Sequence, residues 1–147
     1  MPTPQPHNTT GHLTADIDGR AYTAESVSLN LYSSSIIAGG PIEGILKEGI
    51  FFTFPDHIKP GTYEMNRDTL VGAWYNPGQN QNSWYADNND EDKMEVISVS
   101  LAAEPSLEIS FKFFAVNSAD TQQRKKIIGV AKFEGASQQG TVQYKTQ

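Results

Sequence analysis

The chain has 147 residues, with 11 lysines and arginines against 17 aspartates and glutamates, a formal net charge of −6 and no cysteine. This length favours one domain whose core needs no staples. The missing cysteines exclude thiol catalysis, disulfides and Cys-ligated zinc. Scattered basic residues, adjacent only at Arg124, Lys125 and Lys126, argue against nucleic-acid binding.

Residues 1–10 hold three prolines among Asn, Gln and Thr and read as an extended tail, leaving 11–147 as a single β domain. This opening has no basic n-region and no apolar h-region, so the cytoplasm is the default expectation, with a secreted or periplasmic location if a leader was removed. No stretch approaches the roughly 18 apolar residues of a membrane span.

Leu13, Ala15 and Ile17 alternate on one face of a first strand, and Asp18-Gly19 is a hairpin signal before Tyr22 to Ala24. Val27, Leu29 and Leu31 form the next strand with Ser28 and Asn30 outward, broken by Gly39-Gly40-Pro41. Ile42 to Ile45 is a short strand candidate. Ile50 to Phe54 is a nearly continuous apolar run, expected to be buried on both faces or to lie at a covered edge. Pro55 to Pro60 is a loop. Tyr63 and Met65 are the buried pair of the strand that follows, and Leu70 to Tyr75 and Ser83 to Ala86 flank a polar loop. Residues 87–92, DNNDED, form an acidic turn.

In the next segment Ile97, Val99 and Leu101 alternate with Ser98 and Ser100. Beyond Glu104-Pro105, Leu107, Ile109, Phe111 and Phe113 alternate with Glu108, Ser110 and Lys112. Period two over both arms predicts a hairpin with one buried face. Keeping both apolar sets on that face requires paired residue numbers with an even sum, such as Ile97 with Phe111 or Val99 with Phe111, and a connection of three or five residues. Ser118 to Lys126 is a polar connection with room for one helical turn. Ile127 to Phe133 is a strand in which Gly129 signals a bulge or a close approach of another strand. Thr141 to Tyr144 is the expected edge strand. No ten-residue stretch has helical periodicity. The expected fold is therefore all-β: a single antiparallel β-sandwich or lipocalin-like barrel of about nine or ten strands.

The residues Ala15, Ile17, Asp18, Gly19, Tyr22 and Ala24, followed by alternating strands, Pro60-Gly61-Thr62-Tyr63 and a late hairpin, resemble small β-sandwich or lipocalin-like domains of uncharacterised bacterial proteins. The resemblance covers most of the chain. It implies a fold and carries no chemistry.

The most unusual composition is WYNPGQNQNSWY at residues 74–85, which holds both tryptophans. Aromatic rings stack on the apolar faces of sugars or anchor a protein partner, and amides hydrogen-bond hydroxyls. Trp74, Tyr75, Asn76, Gln79, Asn82, Trp84 and Tyr85 are the candidate binding residues. In a strand, adjacent Trp and Tyr point to opposite faces, so at most one of each pair enters the core. The core reading places both tryptophans inside and both tyrosines outside, or the reverse.

Other candidates are weaker. Asp87, Asn89 and Glu91 lack the glycine and glutamate that complete a calcium loop, and a solvated turn is expected. His7, His12 and His57 have no metal-ligand spacing, and no nucleophile turn accompanies them. Glu95 and Glu108 read as members of an outward face rather than a carboxylate pair. Gly39 to Gly44 lacks the Lys-Ser/Thr of a phosphate loop. The expectation is a non-enzymatic binding protein without metal or cofactor that meets a protein or glycan, an acidic inhibitor or immunity-type protein being one version. The alternative is a lipocalin-like carrier of a small hydrophobic ligand, which requires that Phe51, Phe52, Phe54, Phe111, Phe113, Phe114 and Phe133 leave the interior open. A monomer or an edge-strand dimer is expected.

Overall fold

A computed structural model describes residues 9–41, 47–66, 68–79, 81–87, 91–102 and 104–139. Among them the structure is all-β, and no helix is long and apolar enough to cross a membrane. The strand candidates at Ile42 to Ile45 and Thr141 to Tyr144 lie outside the described residues.

Twelve strands are present among the described residues, of which the last has two residues, so the expected nine or ten is corrected upward. They are β1 (Thr10–Ile17), β2 (Arg20–Thr23), β3 (Ser28–Leu31), β4 (Ser35–Gly39), β5 (Gly49–Pro55), β6 (Gly61–Glu64), β7 (Gly72–Asn76), β8 (Trp84–Ala86), β9 (Lys93–Ser100), β10 (Ser106–Asn117), β11 (Arg124–Glu134) and β12 (Gln138–Gln139). All join one curled sheet, a half-barrel, in the order β12-β3-β4-β5-β7-β8-β10-β11-β1-β2. Every pairing is antiparallel except β12 with β3. One strand not expected is β4: Tyr32 N–H donates to Ser35 O at 2.8 Å and turns the chain back, so that Ile36 pairs with Leu31.

The sheet forks at β10. One edge of β10 pairs with β11 along its length. The other pairs with β9 from Ser106 to Lys112 and with β8 from Ala115 to Asn117. β6 pairs β9 and ends that short branch. At the fork Phe114, which pairs with Lys126 on β11, has no ladder partner on this second edge. The Asp92 carboxylate accepts the Phe114 N–H at 3.0 Å, and Asp87 N–H donates to Phe114 O at 2.8 Å. Asp92 is fully buried, so part of the turn expected to be solvated is a structural plug. A buried N–H without an acceptor would cost about 1–3 kcal/mol.

Period two decides the core. Leu13, Ala15 and Ile17 of β1 meet Leu107, Ile109, Phe111 and Phe113 of β10 through Ile127, Ala131 and Phe133 of β11. From the other arm come Ile36, Ala38, Ile50, Phe52 and Phe54. Phe52 lies against Phe111 with ring centroids 4.6 Å apart. Burying each such ring contributes about 2–3 kcal/mol. Asp18-Gly19 forms the expected two-residue turn, with both φ angles positive at 54° and 95°. Gly129 shows the expected close approach: a Cβ there would lie 2.8 Å from Ala15 Cα on β1.

The β9–β10 hairpin departs from its expected register. Near the turn the sum is even, with Ser100 opposite Ser106 and Ser98 opposite Glu108, enclosing a five-residue connection. Val96 then pairs with Ile109, leaving Ile97 as a bulge, and Phe111 faces Met94 rather than Ile97 or Val99. The buried residues of β9 are Met94 and Val96, while Ile97 is 45% exposed and Leu101 38%. The bulge shifts the phase of the alternation by one residue.

Candidate functional site

β5 is buried on both sides. Ile50, Phe52 and Phe54 face the core, and Phe51 faces the opposite way with Gly39 and Trp74 as its neighbours in register. Gly39 is required there, since a Cβ would lie 2.8 Å from Phe51 Cα and collide with its ring. Phe51 and Trp74 stack with centroids 5.4 Å apart and an interplanar angle of 20°. The same outer face carries Ser28 and Asn30 from β3, Tyr32 after it, Ile37 from β4 and Asn76 from β7. With Phe51 and Trp74 these line a groove of about 290 Å³.

Two features of this groove bear on chemistry. None of its seven lining side chains is charged. Several of its polar groups are buried: Ser28 is 3%, Asn30 9% and Asn76 5% exposed, which corrects the expectation that Ser28 and Asn30 point to water. Asn76 Oδ1 accepts the Ser83 hydroxyl at 2.5 Å, and Asn30 Nδ2 donates to Ile37 O at 3.4 Å. The Asn76 Nδ2 donor and the Asn30 Oδ1 acceptor have no partner among the described residues. No enclosed side-chain polar atom among those residues lacks a partner, so these two groups, on residues that line the groove, keep some access to solvent. An amide with one end anchored and the other free is a preoriented hydrogen-bonding group.

The seven residues singled out in 74–85 separate. Trp74 and Asn76 line the groove. Tyr85 lies beside Trp74 in register on the same face and is 53% exposed. Tyr75 and Trp84 pair with each other on the core face, 3% and 8% exposed. One member of each Trp-Tyr pair is thus buried, but the pairs are opposite in sense, because β7 and β8 oppose Trp to Tyr. Lys125 Nζ lies 4.9 Å from the Trp84 ring centroid, a cation–π contact. Gln79, with a φ of 56°, is exposed and accepts from Gln81 at 3.5 Å. Asn82 is exposed in the same loop.

Sequence reasoning missed Ser28, Asn30, Tyr32, Ile37 and Phe51. Their signal was present in two places. Ser28 and Asn30 are the polar phase of an alternating strand, and Phe51 is the surplus apolar residue in a run where alternate positions suffice for the core.

Two larger grooves, each of about 410 Å³, have different linings. One crosses β6, β9, β10 and β11 over Thr62, Lys93, Glu95, Ser110, Lys112 and Ile128. Its charges are engaged: Lys93 lies 3.6 Å from Glu64, Lys112 3.9 Å from Glu91, and Ser110 donates to Glu95 at 3.1 Å. Glu108 stands opposite Ser98, so Glu95 and Glu108 do not form a pair. The other lies between Tyr22, Glu25, Lys47 and Glu48. There Arg20 pairs with the Glu48 carboxylate, which also accepts the Tyr75 hydroxyl at 2.6 Å, while the Tyr22 hydroxyl donates to Glu48 O at 2.9 Å. Burial, then the Glu48 and Glu25 charges, push the Tyr22 hydroxyl up to about 12. Burial and the bond to Glu48 raise Tyr75 further, and the Glu48 bond holds Arg20 above its ordinary value. This cluster is a closed ion-pair clamp.

His12 is exposed, and His57 lies 3.1 Å from the neighbouring Asp56 carboxylate in an exposed loop; His7 lies outside the described residues. Among the described residues no three His, Asp or Glu side chains gather to hold a metal ion. Comparison with family models, curated proteins and solved structures gives no match for this chain.

Proposed function

We propose that this is a non-catalytic binding protein whose site is the groove on the outer face of β3, β4, β5 and β7, and that its ligand is a neutral glycan. The observation that carries this reading is the lining itself: three aromatic rings, three buried polar side chains and no charge. A sugar ring has an apolar face suited to an aromatic ring and hydroxyls suited to amides. The open Asn76 Nδ2 and Asn30 Oδ1 offer a donor and an acceptor to such hydroxyls. A protein partner also suits Trp74 and Tyr85. The glycan is favoured because the free amide atoms sit within a recess, where small hydroxyls reach them more readily than a broad protein surface does.

The alternative of a lipocalin-like carrier has less support. Phe52, Phe54, Phe113 and Phe133 are fully buried and take up interior space that a carried ligand would need. As a scaffold, the curled sheet reads as barrel-like rather than as a sandwich. Ser137 N–H donates to Leu29 O at 2.7 Å, and Thr9 Oγ1 accepts from Leu29 N–H at 3.0 Å, linking β3 to the ends of β11 and β1. The test is a glycan array probed with labelled wild type, Trp74→Ala and Ile97→Ser, the last lying outside the groove. Binding to neutral glycans by wild type and Ile97→Ser, lost in folded Trp74→Ala, supports the reading. Binding that ignores the Trp74 change rejects it.

A further inference from the structure

Resting on the groove reading above, we infer that the ligand is an extended oligomer of neutral sugars laid across the strands, with Tyr85 as a second stacking platform beyond the groove. Register places Ser28, Gly39, Phe51, Trp74, Tyr85 and Val116 in one row on the outer face, each directly beside the next on the neighbouring strand. The groove occupies the part of this row from Ser28 to Trp74. It does not end in a wall at Trp74, because the next side chain is Tyr85, an aromatic ring 53% exposed.

Strands are spaced by about 4.8 Å, so Trp74 and Tyr85, on neighbouring strands of this row, are separated by close to the rise of one sugar in an extended glycan. The row from β3 to β8 crosses five strands and spans about 19 Å, room for a chain of about four sugars rather than one ring. Its far end is electrostatically quiet. Arg124, paired with Val116, has its guanidinium 2.7 Å from Asp87 and 5.3 Å from the Phe114 ring centroid. Among the described residues the path therefore offers no uncompensated charge to an acidic or basic polymer, and a neutral chain fits it.

The test is calorimetric titration of cello-, xylo-, manno- and N-acetylchito-oligosaccharides of one to six units into wild type, Trp74→Ala and Tyr85→Ala, with circular dichroism to confirm folding. Tyr85 is exposed, so its substitution leaves the core intact. The expected result is that affinity for the series that binds rises with length to about four units. Tyr85→Ala lowers the affinity of the four-unit chain about tenfold and leaves that of the one- and two-unit chains unchanged. Affinity independent of length, or Tyr85→Ala binding every length like wild type, overturns the extended-chain inference while loss in Trp74→Ala keeps the groove reading. Absence of binding by every series, or wild-type binding by Trp74→Ala, overturns both.

Discussion

The Tyr75 hydroxyl donates to Glu48 at 2.6 Å, and Arg20 of edge strand β2 pairs with the same carboxylate. The side chain that sequence composition marked for binding thus ties β7 to Glu48 and edge strand β2 instead. Both Tyr75 and Tyr22 are favoured in their neutral forms. Their folded-state values lie above the unfolded value near 10, with Tyr22 at about 12. Stability from this clamp is then fully present below pH 10 and is lost as pH rises toward and through the folded values, because the unfolded state releases its protons first. Urea melts between pH 9 and 12 should show stability falling above pH 10, with Tyr22 accounting for on the order of 2 kcal/mol by pH 12. Tyr22→Phe should flatten this slope.

Asp92 should be among the costliest charged residues to remove. Its carboxylate completes the bonding of Phe114 at the fork, where neither β8 nor β9 reaches. Asp92→Ala is expected to lose about 2–3 kcal/mol in urea denaturation, and Asp92→Asn, which keeps an acceptor, distinctly less. Equal stability of wild type and Asp92→Ala would show that the fork needs no plug.

Gly129 should not tolerate a methyl group. The β1 backbone approaches so closely that Gly129→Ala requires β1 and β11 to separate, at a cost of about 2–3 kcal/mol. Gly40→Ala is the control, since its added Cβ would find no heavy atom nearer than 3.5 Å. Thermal melts of the two variants make the comparison.

Much of the fold was legible because period two is a direct record of which face is buried. It succeeds in β1, β10 and β11, where one face meets the core and the other meets water. It fails in two instructive ways. At Val96-Ile97 two apolar residues stand side by side, and the choice between the phase Met94-Val96 and the phase Ile97-Val99-Leu101 cannot be made locally; the bulge uses the first. At Ser28 and Asn30 polarity suggested water, but both side chains are buried in the lining of the groove. The candidate site was legible in part, since Trp74, Asn76 and Tyr85 share a face, whereas Tyr75 and Trp84 are turned inward by their mutual pairing. Its other walls come from strands more than twenty residues earlier, which only the β3-β4-β5-β7 order brings together.

The two tryptophans should report separately. Trp84 is 8% exposed in the core and Trp74 is half-buried at the groove. Trp74→Phe should leave blue-shifted emission that acrylamide quenches poorly, and Trp84→Phe should leave emission that is more readily quenched. The reverse pattern would contradict the assigned faces of β7 and β8.

The most direct test of the groove is nuclear magnetic resonance of ¹⁵N-labelled protein titrated with cello-, xylo-, manno- and N-acetylchito-tetraoses. The account predicts that one of these shifts the Trp74 indole N–H and the Asn30 and Asn76 side-chain amides, while the Trp84 indole stays in place. Shifts centred on Trp84 and the interior, shifts centred on the β9–β11 outer face, or none with any of the four sugars would contradict it.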